Sequence, residues 1–309
     1  MRMQPDLPSL VNPAQARDPG DTLAVAGARA GLHCARAADA AGIASMTVVS
    51  YNIHRAVGTD RRYRPDRIAA VLEELDADIV ALQEVESGSS NDHTLEYLAG
   101  HTGMHVVSGF TRVRGNADYG NALLARFAPQ AVNQIDLTVK GCEPRGAIDV
   151  TLACTASGWE SALRVIATHL GLRPGERRRQ VQQLLNYVAA APPLPTILLG
   201  DVNEWFLWGR PLRWLHAYFE HTPHTATFPS RWPVFALDRI WVSPRAHLVS
   251  VASHRSPLAR VASDHLPLLA RFEVPAAPQE RPDRIKTGVP GAPDPPSSCR
   301  PDTSLPGAI

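Results

Sequence analysis

The sequence predicts one α/β domain with many strands, spanning residues 46–273. Three observations predict it. Short apolar and β-branched runs alternate with stretches whose apolar residues recur at helical spacing. The composition, 44% apolar and 20% charged, is that of a soluble globular protein, and 309 residues can build a large core. Composition also shifts on both sides of the domain. Residues 1–45 hold no strong strand or helix period, and nine of the 27 prolines fall within 274–309. Both flanks are therefore expected to be disordered. Met46 stands directly before the first clear strand, so it is a candidate for the true start.

The elements follow in order. Thr47-Val48-Val49-Ser50-Tyr51 is a β-branched run and reads as a strand. Pro65-Asp66-Arg67 opens a helix, because Pro suits the first helical position and Ile68, Val71, Leu72 and Leu75 keep the i, i+3, i+4, i+7 spacing. Residues 78–84 are a buried strand that ends on polar residues, and 93–103 form a second helix. Strands are expected at 104–108, 121–126, 147–152 and 163–168. A further helix follows Pro174-Gly175-Glu176, with Val181, Leu184, Leu185 and Val188 on one face, and Pro192-Pro193 stops it. Strands at 196–199, 237–242, 247–251 and 266–272 complete the domain.

Charge and cysteines narrow the function classes. A net charge of +1 argues against a protein that coats nucleic acid by charge alone. Cys34, Cys142, Cys154 and Cys299 include no CxxC pair, so a zinc or redox motif is not expected. Two of the four lie in the expected tails, which argues against a disulfide framework and for a reducing cytoplasm. No run approaches the roughly 18 apolar residues of a membrane span.

Polar residues of metal-binding and proton-carrying kinds sit repeatedly at the ends of apolar strands. Asn52 follows the first strand, Glu84 follows Ile79-Val80-Ala81-Leu82-Gln83, and His169 follows Val165-Ile166-Ala167-Thr168. Asp201 and Asn203 follow Ile197-Leu198-Leu199-Gly200. Asp238 lies inside Ala236-Leu237-Asp238-Arg239-Ile240, and Asp264-His265 stand before their own strand. Strand ends can converge at one edge of a sheet. A carboxylate suits a hard ion such as Mg²⁺, and an imidazole gains or loses a proton near neutral pH. Asp238 between apolar neighbours needs a partner, since an unpaired buried carboxylate costs several kcal/mol.

Six blocks carry a family resemblance: Ser50-Tyr51-Asn52-Ile53, Leu82-Gln83-Glu84-Val85, Ala167-Thr168-His169-Leu170, Gly200-Asp201-Val202-Asn203, Leu237-Asp238-Arg239-Ile240 and Ser263-Asp264-His265-Leu266-Pro267. In this order they resemble the signature of the endonuclease/exonuclease/phosphatase superfamily, the DNase I-like fold. The resemblance implies a four-layer α/β sandwich, two packed mixed sheets flanked by helices, with a site at one rim. It also implies hydrolysis of a phosphate ester with Mg²⁺ or Mn²⁺. Glu84, Asn52 and Asp264 would hold the ion. Asp201 and Asn203 would orient the attacking water or a second metal. His265, paired with Asp238, would act as base or bind phosphate. His169 would contact a phosphate oxygen or protonate the leaving group, and Arg145 would neutralise developing charge. Tyr119 and Asn121 match a further block. Asn121 is neutral where DNase I-type enzymes place a carboxylate to orient the first histidine, so His169 is less biased towards its charged form.

Substrate signals are fewer. Arg55, with Arg61, Arg62 and Arg64, makes a basic loop after Asn52, suited to a phosphodiester backbone or to solvent. Trp205 opens the run Trp205-Phe206-Leu207-Trp208, suited to stacking on bases, to covering a lipid or sugar, or to packing a loop. Three functions stay open: a phosphodiesterase, with nucleic acid among its candidate substrates; a phosphomonoesterase or lipid-headgroup phosphodiesterase; and a silent binding module. A monomer is expected.

Overall fold

A computed structural model describes residues 43–87, 93–114, 117–156 and 159–275. The strands are β1 (Ile43–Asn52), β2 (Ile79–Ser87), β3 (His105–Arg114), β4 (Ala117–Ala125), β5 (Pro129–Asp136), β6 (Gly146–Ala156), β7 (Trp159–His169), β8 (Thr196–Asp201), β9 (Asp238–Ser243), β10 (Leu248–Ser253) and β11 (Leu268–Pro275). The helices are α1 (Pro65–Leu75), α2 (Thr94–Thr102), α3 (Pro174–Ala190), α4 (Arg210–Phe219) and the short α5 (Ala259–Ala262). None of the described helices is long and apolar enough to cross a membrane.

The strands form two sheets, a six-stranded one in the order β10-β11-β1-β2-β4-β3 and a five-stranded one in the order β5-β6-β7-β8-β9. Alternation within each strand explains the layering. Val48, Ile79, Ala81 and Leu123 of the first sheet meet Val150, Val165, Ile197 and Ile240 of the second in the central core. Their neighbours Val49, Val80, Leu82 and Leu124 turn the other way and pack with α1 and α2. On the second sheet Ile166, Leu198 and Trp241 turn outward to Val181 and Leu184 of α3 and to Leu212 and Leu215 of α4. Four layers result, as expected. Strands covered on both faces read as unbroken apolar runs, so the central strands are legible in the sequence.

Three features differ from the sequence expectation. Strand β1 begins at Ile43, so residues 43–45 pair with β11 across Glu273–Pro275 rather than lying in the N-terminal extension. Backbone pairing extends this ladder beyond the apolar run. Strand β5 is not expected, because it is an edge strand in contact with solvent over most of its length and carries no apolar run. Helix α4 is also not expected, although Leu212, Leu215 and Phe219 follow a helical period. The expected disordered flanks, with Cys34 and Cys299, lie outside the described residues apart from the ends of β1 and β11.

Candidate active site

Strand direction builds the site. Strands β1 and β2 are parallel, as are β7 and β8, so the C-terminal ends of β1, β7 and β8, bearing Asn52, His169 and Asp201, and the irregular second half of β2, bearing Glu84, can share one rim. Strand β9 runs antiparallel to β8 and presents its start there, with Asp238 opposite Asp201. Strand β11 runs antiparallel to β1, so the segment before it, with His265, arrives at the same rim. The two sheets join directly at this rim, where Asn52 Nδ2 donates to Asp201 Oδ2 at 3.1 Å.

Local backbone aims the side chains. Glu84 lies at an irregularity in the β2–β4 pairing and has φ 56°, a device that re-aims a side chain. Asn203, at φ 51°, closes a turn in which its N–H donates to Asp201 Oδ1 at 2.9 Å. Gly200 has φ 148°, and a Cβ there would sit 1.8 Å from Thr168 O. Only glycine fits this close approach, which delivers Asp201 to the rim.

A cavity of about 420 Å³ opens between these ends, lined by Glu84, Tyr119, Glu143, Arg145, His169, Leu172, Asp201, Asn203, Trp205, Phe228, Leu237 and His265. Two histidines stand in it with opposite partners. His265 Nδ1 donates to Asp238 Oδ2 at 2.8 Å, and its Nε2 lies 3.7 Å from Asp201 Oδ2. Burial works against charge on this ring, but the carboxylates of Asp238 and Asp201 outweigh it and raise the pKa to about 10. Thr227 Oγ1 also donates to Asp238 Oδ2, at 2.5 Å, and the Phe228 ring lies 4.9 Å from the His265 ring.

His169 is buried as deeply, but Arg145 Nη1 sits 3.0 Å from its Nδ1. A guanidinium only donates, and Asn203 Nδ2, which also donates to Leu170 O, lies 3.0 Å from Nε2, so each ring nitrogen faces a donor and the site offers no acceptor to a second ring proton at close range. Nε2 also lies 3.6 Å from Asp201 Oδ2. Burial, then the charges of Arg145 and His265, hold the His169 pKa well below its ordinary value. Asp201 lies between the rings. Burial pushes its carboxyl up to about 6, Asp238 adds to this, and His265 with the hydrogen bonds from Asn52 and Asn203 opposes it.

One donor atom from each of Asp201, Asp238 and His265 falls within 4.8 Å of the others. Within this triple His265 Nδ1 donates to Asp238 Oδ2, and two carboxylates with an imidazole are donor types that can hold a divalent ion. Glu84 is also placed for an ion. Its carboxylate lines the cavity, with Asn52 Nδ2 donating to Oε1 at 3.2 Å.

Most expected site residues converge: Glu84, Tyr119, Arg145, His169, Asp201, Asn203, Trp205 and His265 line the cavity, and Asn52 and Asp238 touch residues that do. Asp264, Asn52, Arg55 and Asn121 depart from expectation. Asp264 does not line the cavity; the backbone bends at 264–265, and its carboxylate lies 3.9 Å from His54 Nδ1. Asn52 presents N–H groups to Glu84 and Asp201, because its Oδ1 accepts the His54 N–H at 3.0 Å, so it clamps two carboxylates rather than offering an oxygen. Arg55 is in a tight turn at φ 56° and does not line the cavity. Asn121 is buried and donates to Gly146 O at 3.1 Å. Sequence reasoning missed Glu143, which accepts from Arg145 Nη2 at 3.2 Å, together with Thr227 and Phe228. All three come from segments without apolar period, and no spacing signal marks them.

The fold and site thus describe a DNase I-like phosphoesterase scaffold, and comparison with known proteins agrees. The model of the Endonuclease/Exonuclease/phosphatase family matches residues 49–265, and the chain belongs to that family. Its members act on phosphoesters, nucleases and phosphatases among them. The chain is 30% identical over 255 residues to the uncharacterized protein YbhP of Escherichia coli (strain K12), covering 74% of this chain and 97% of YbhP. Among solved structures it is similar to the human Nocturnin catalytic domain with bound sulfate, at TM-score 0.59 and 23% identity, covering 74% of this chain and 93% of that one. It is also similar to the mannosyl-6-phosphatase Bt3783 of Bacteroides thetaiotaomicron, at TM-score 0.58 and 19% identity, covering 74% and 99%. These likenesses support the fold.

Proposed function

We propose that the protein is a divalent-metal-dependent phosphodiesterase. One observation carries this reading: a single cavity holds a carboxylate suited to a hard ion, Glu84, and an imidazolium, His265, fixed between two carboxylates. Glu84 would hold Mg²⁺ or Mn²⁺, with Asn52 fixing its orientation and water completing the shell. When bound, the ion supplies Lewis-acid polarisation of a phosphoryl oxygen.

The chain's own residues supply the rest. His265 is a preorganised cation for a phosphate oxygen, and Asp238 and Thr227 keep it oriented. Asp201, ionised at neutral pH and beside both rings, accepts the proton of the attacking water. His169, kept uncharged by burial and Arg145, lines the cavity beside Asp201, and the proton that Asp201 takes from water is returned to the leaving oxygen as the P–O bond breaks. Asn203 fixes Asp201 through its backbone N–H. The remaining expected ligand, Asp264, stands outside the cavity lining and takes no part in this scheme.

The test is hydrolysis of bis-p-nitrophenyl phosphate, p-nitrophenyl phosphate, plasmid DNA, single-stranded DNA and RNA, each with Mg²⁺ and with EDTA. Turnover of the diester that disappears with EDTA and returns with Mg²⁺ is expected. Turnover indifferent to EDTA removes the metal. Faster turnover of the monoester makes the protein a phosphomonoesterase, and no turnover of any ester leaves a binding module.

A further inference from the structure

We propose that the protein docks on anionic lipid surfaces through the rim of its cavity. Two loops flank the cavity mouth, residues 205–210 after β8 and residues 228–236 before β9. Their tips project large apolar side chains: Trp208 is 73% exposed, Trp232 81% and Val234 68%, with Phe206 and Leu207 half in solvent. Leu172, on a third segment, is 61% exposed. Apolar side chains clustered in this way mark an interaction surface.

The surface is continuous with the site. The Trp205 ring lies 4.8 Å from Phe235 and 5.8 Å from Phe228, which joins the two loops. Trp205, Phe228 and Leu172 also line the catalytic cavity. The second loop is pinned rather than loose. Phe235 N–H donates to Phe228 O at 2.8 Å, Ser230 N–H to Asp264 O at 2.7 Å, and Ser230 Oγ to Ser263 O at 2.7 Å. Whatever the tips enter is therefore held in register with His265.

Charge selects the occupant. Residues 172–175, 205–210 and 228–236 carry three exposed arginines, Arg173, Arg210 and Arg231, and no exposed carboxylate. Tryptophan and arginine side by side suit a membrane interface, where the indole lies at the headgroup level and the guanidinium meets anionic lipid. Nucleic acid fits less well, because Leu172, Leu207 and Val234 have no ring face on which a base could stack. A second copy fits less well too, since a two-fold contact would bring like arginine clusters together.

The experiment uses the full chain with vesicles of phosphatidylcholine alone and of phosphatidylcholine with phosphatidylglycerol. Cosedimentation with the anionic vesicles and a blue shift of tryptophan fluorescence are expected. The double variant Trp208→Ala/Trp232→Ala should reduce partitioning by about tenfold or more, since the anchors are gone. Its turnover of soluble bis-p-nitrophenyl phosphate should match the parent, because neither residue lines the cavity. Arg210→Glu/Arg231→Glu should reduce binding to anionic vesicles alone. Absence of vesicle binding by the parent, or unchanged binding by the tryptophan variant, overturns the inference. So does retention of DNA or RNA that the tryptophan variant loses, or a parent dimer that this variant dissociates. Failure to hydrolyse the soluble diester, with vesicle binding intact, overturns the phosphodiesterase reading and leaves the docking surface standing.

Discussion

His265 and His169 share one cavity, and both are almost completely buried, yet they hold opposite charge states. His265 meets the carboxylates of Asp238 and Asp201 and keeps both protons. His169 meets the guanidinium of Arg145 and keeps one. Burial acts against charge on both rings. For His265 the carboxylates overturn burial and make a fixed cation; for His169 burial leads, the guanidinium adds to it, and the ring stays neutral. Asp201 touches both halves, and the difference between the rings gives the site an anion-binding side and an uncharged side.

The strongest way to break this comparison is to remove the charged member. His265→Ala should lower kcat/KM on bis-p-nitrophenyl phosphate by about a thousandfold, the scale for loss of one preorganised charge-stabilising group. Turnover within a fewfold of the parent would mean that the imidazolium is not used.

Asp238→Asn tests the cause of the charge. Activity should fall about a hundredfold as His265 loses its orienting carboxylate. Stability should also report the change. An ordinary histidine titrates near 6.5, and His265 in the folded protein near 10. A raised base stabilises the fold fully below 6.5, and that contribution drains away as pH rises to about 10. Asp201, pushed up to about 6, also loses its contribution as pH rises, but that loss is essentially complete below the histidine window. Urea unfolding from pH 6.5 to 10 should therefore show declining stability in the parent and a much flatter profile in Asp238→Asn. Equal slopes would separate the charge of His265 from Asp238.

Arg145→Gln is the gentlest change. It should raise the His169 pKa part of the way towards 6.5, since burial, the larger cause, remains. Imidazole NMR resonances read this directly, and turnover should drop about tenfold. A His169 titration that does not move would show that the guanidinium is irrelevant to its charge.

Much of the fold and half of the site are legible in the order of residues. The central strands announce themselves as apolar runs because helices and the opposing sheet cover both faces. Glu84, His169, Asp201 and His265 stand out as polar residues at strand ends. Strand β5 stays hidden because an edge strand needs no apolar run, and the sequence could not show that the Asp264 carboxylate lies near His54. Thr227 and Phe228 reach Asp238 and His265 only through folding, and nothing in their own segment marks them.

The sequence by itself determined one α/β domain of many strands and the supply of acids and imidazoles at strand ends, and its six blocks carried the likeness that implies the four layers and the family. Tertiary structure decided which imidazole is charged, which carboxylate faces the cavity, and that aromatic loops rim its mouth. The reason is physical. Burial of a strand depends on its own pattern of side chains, whereas a proton's residence depends on charges a few ångströms away that arrive from distant parts of the chain.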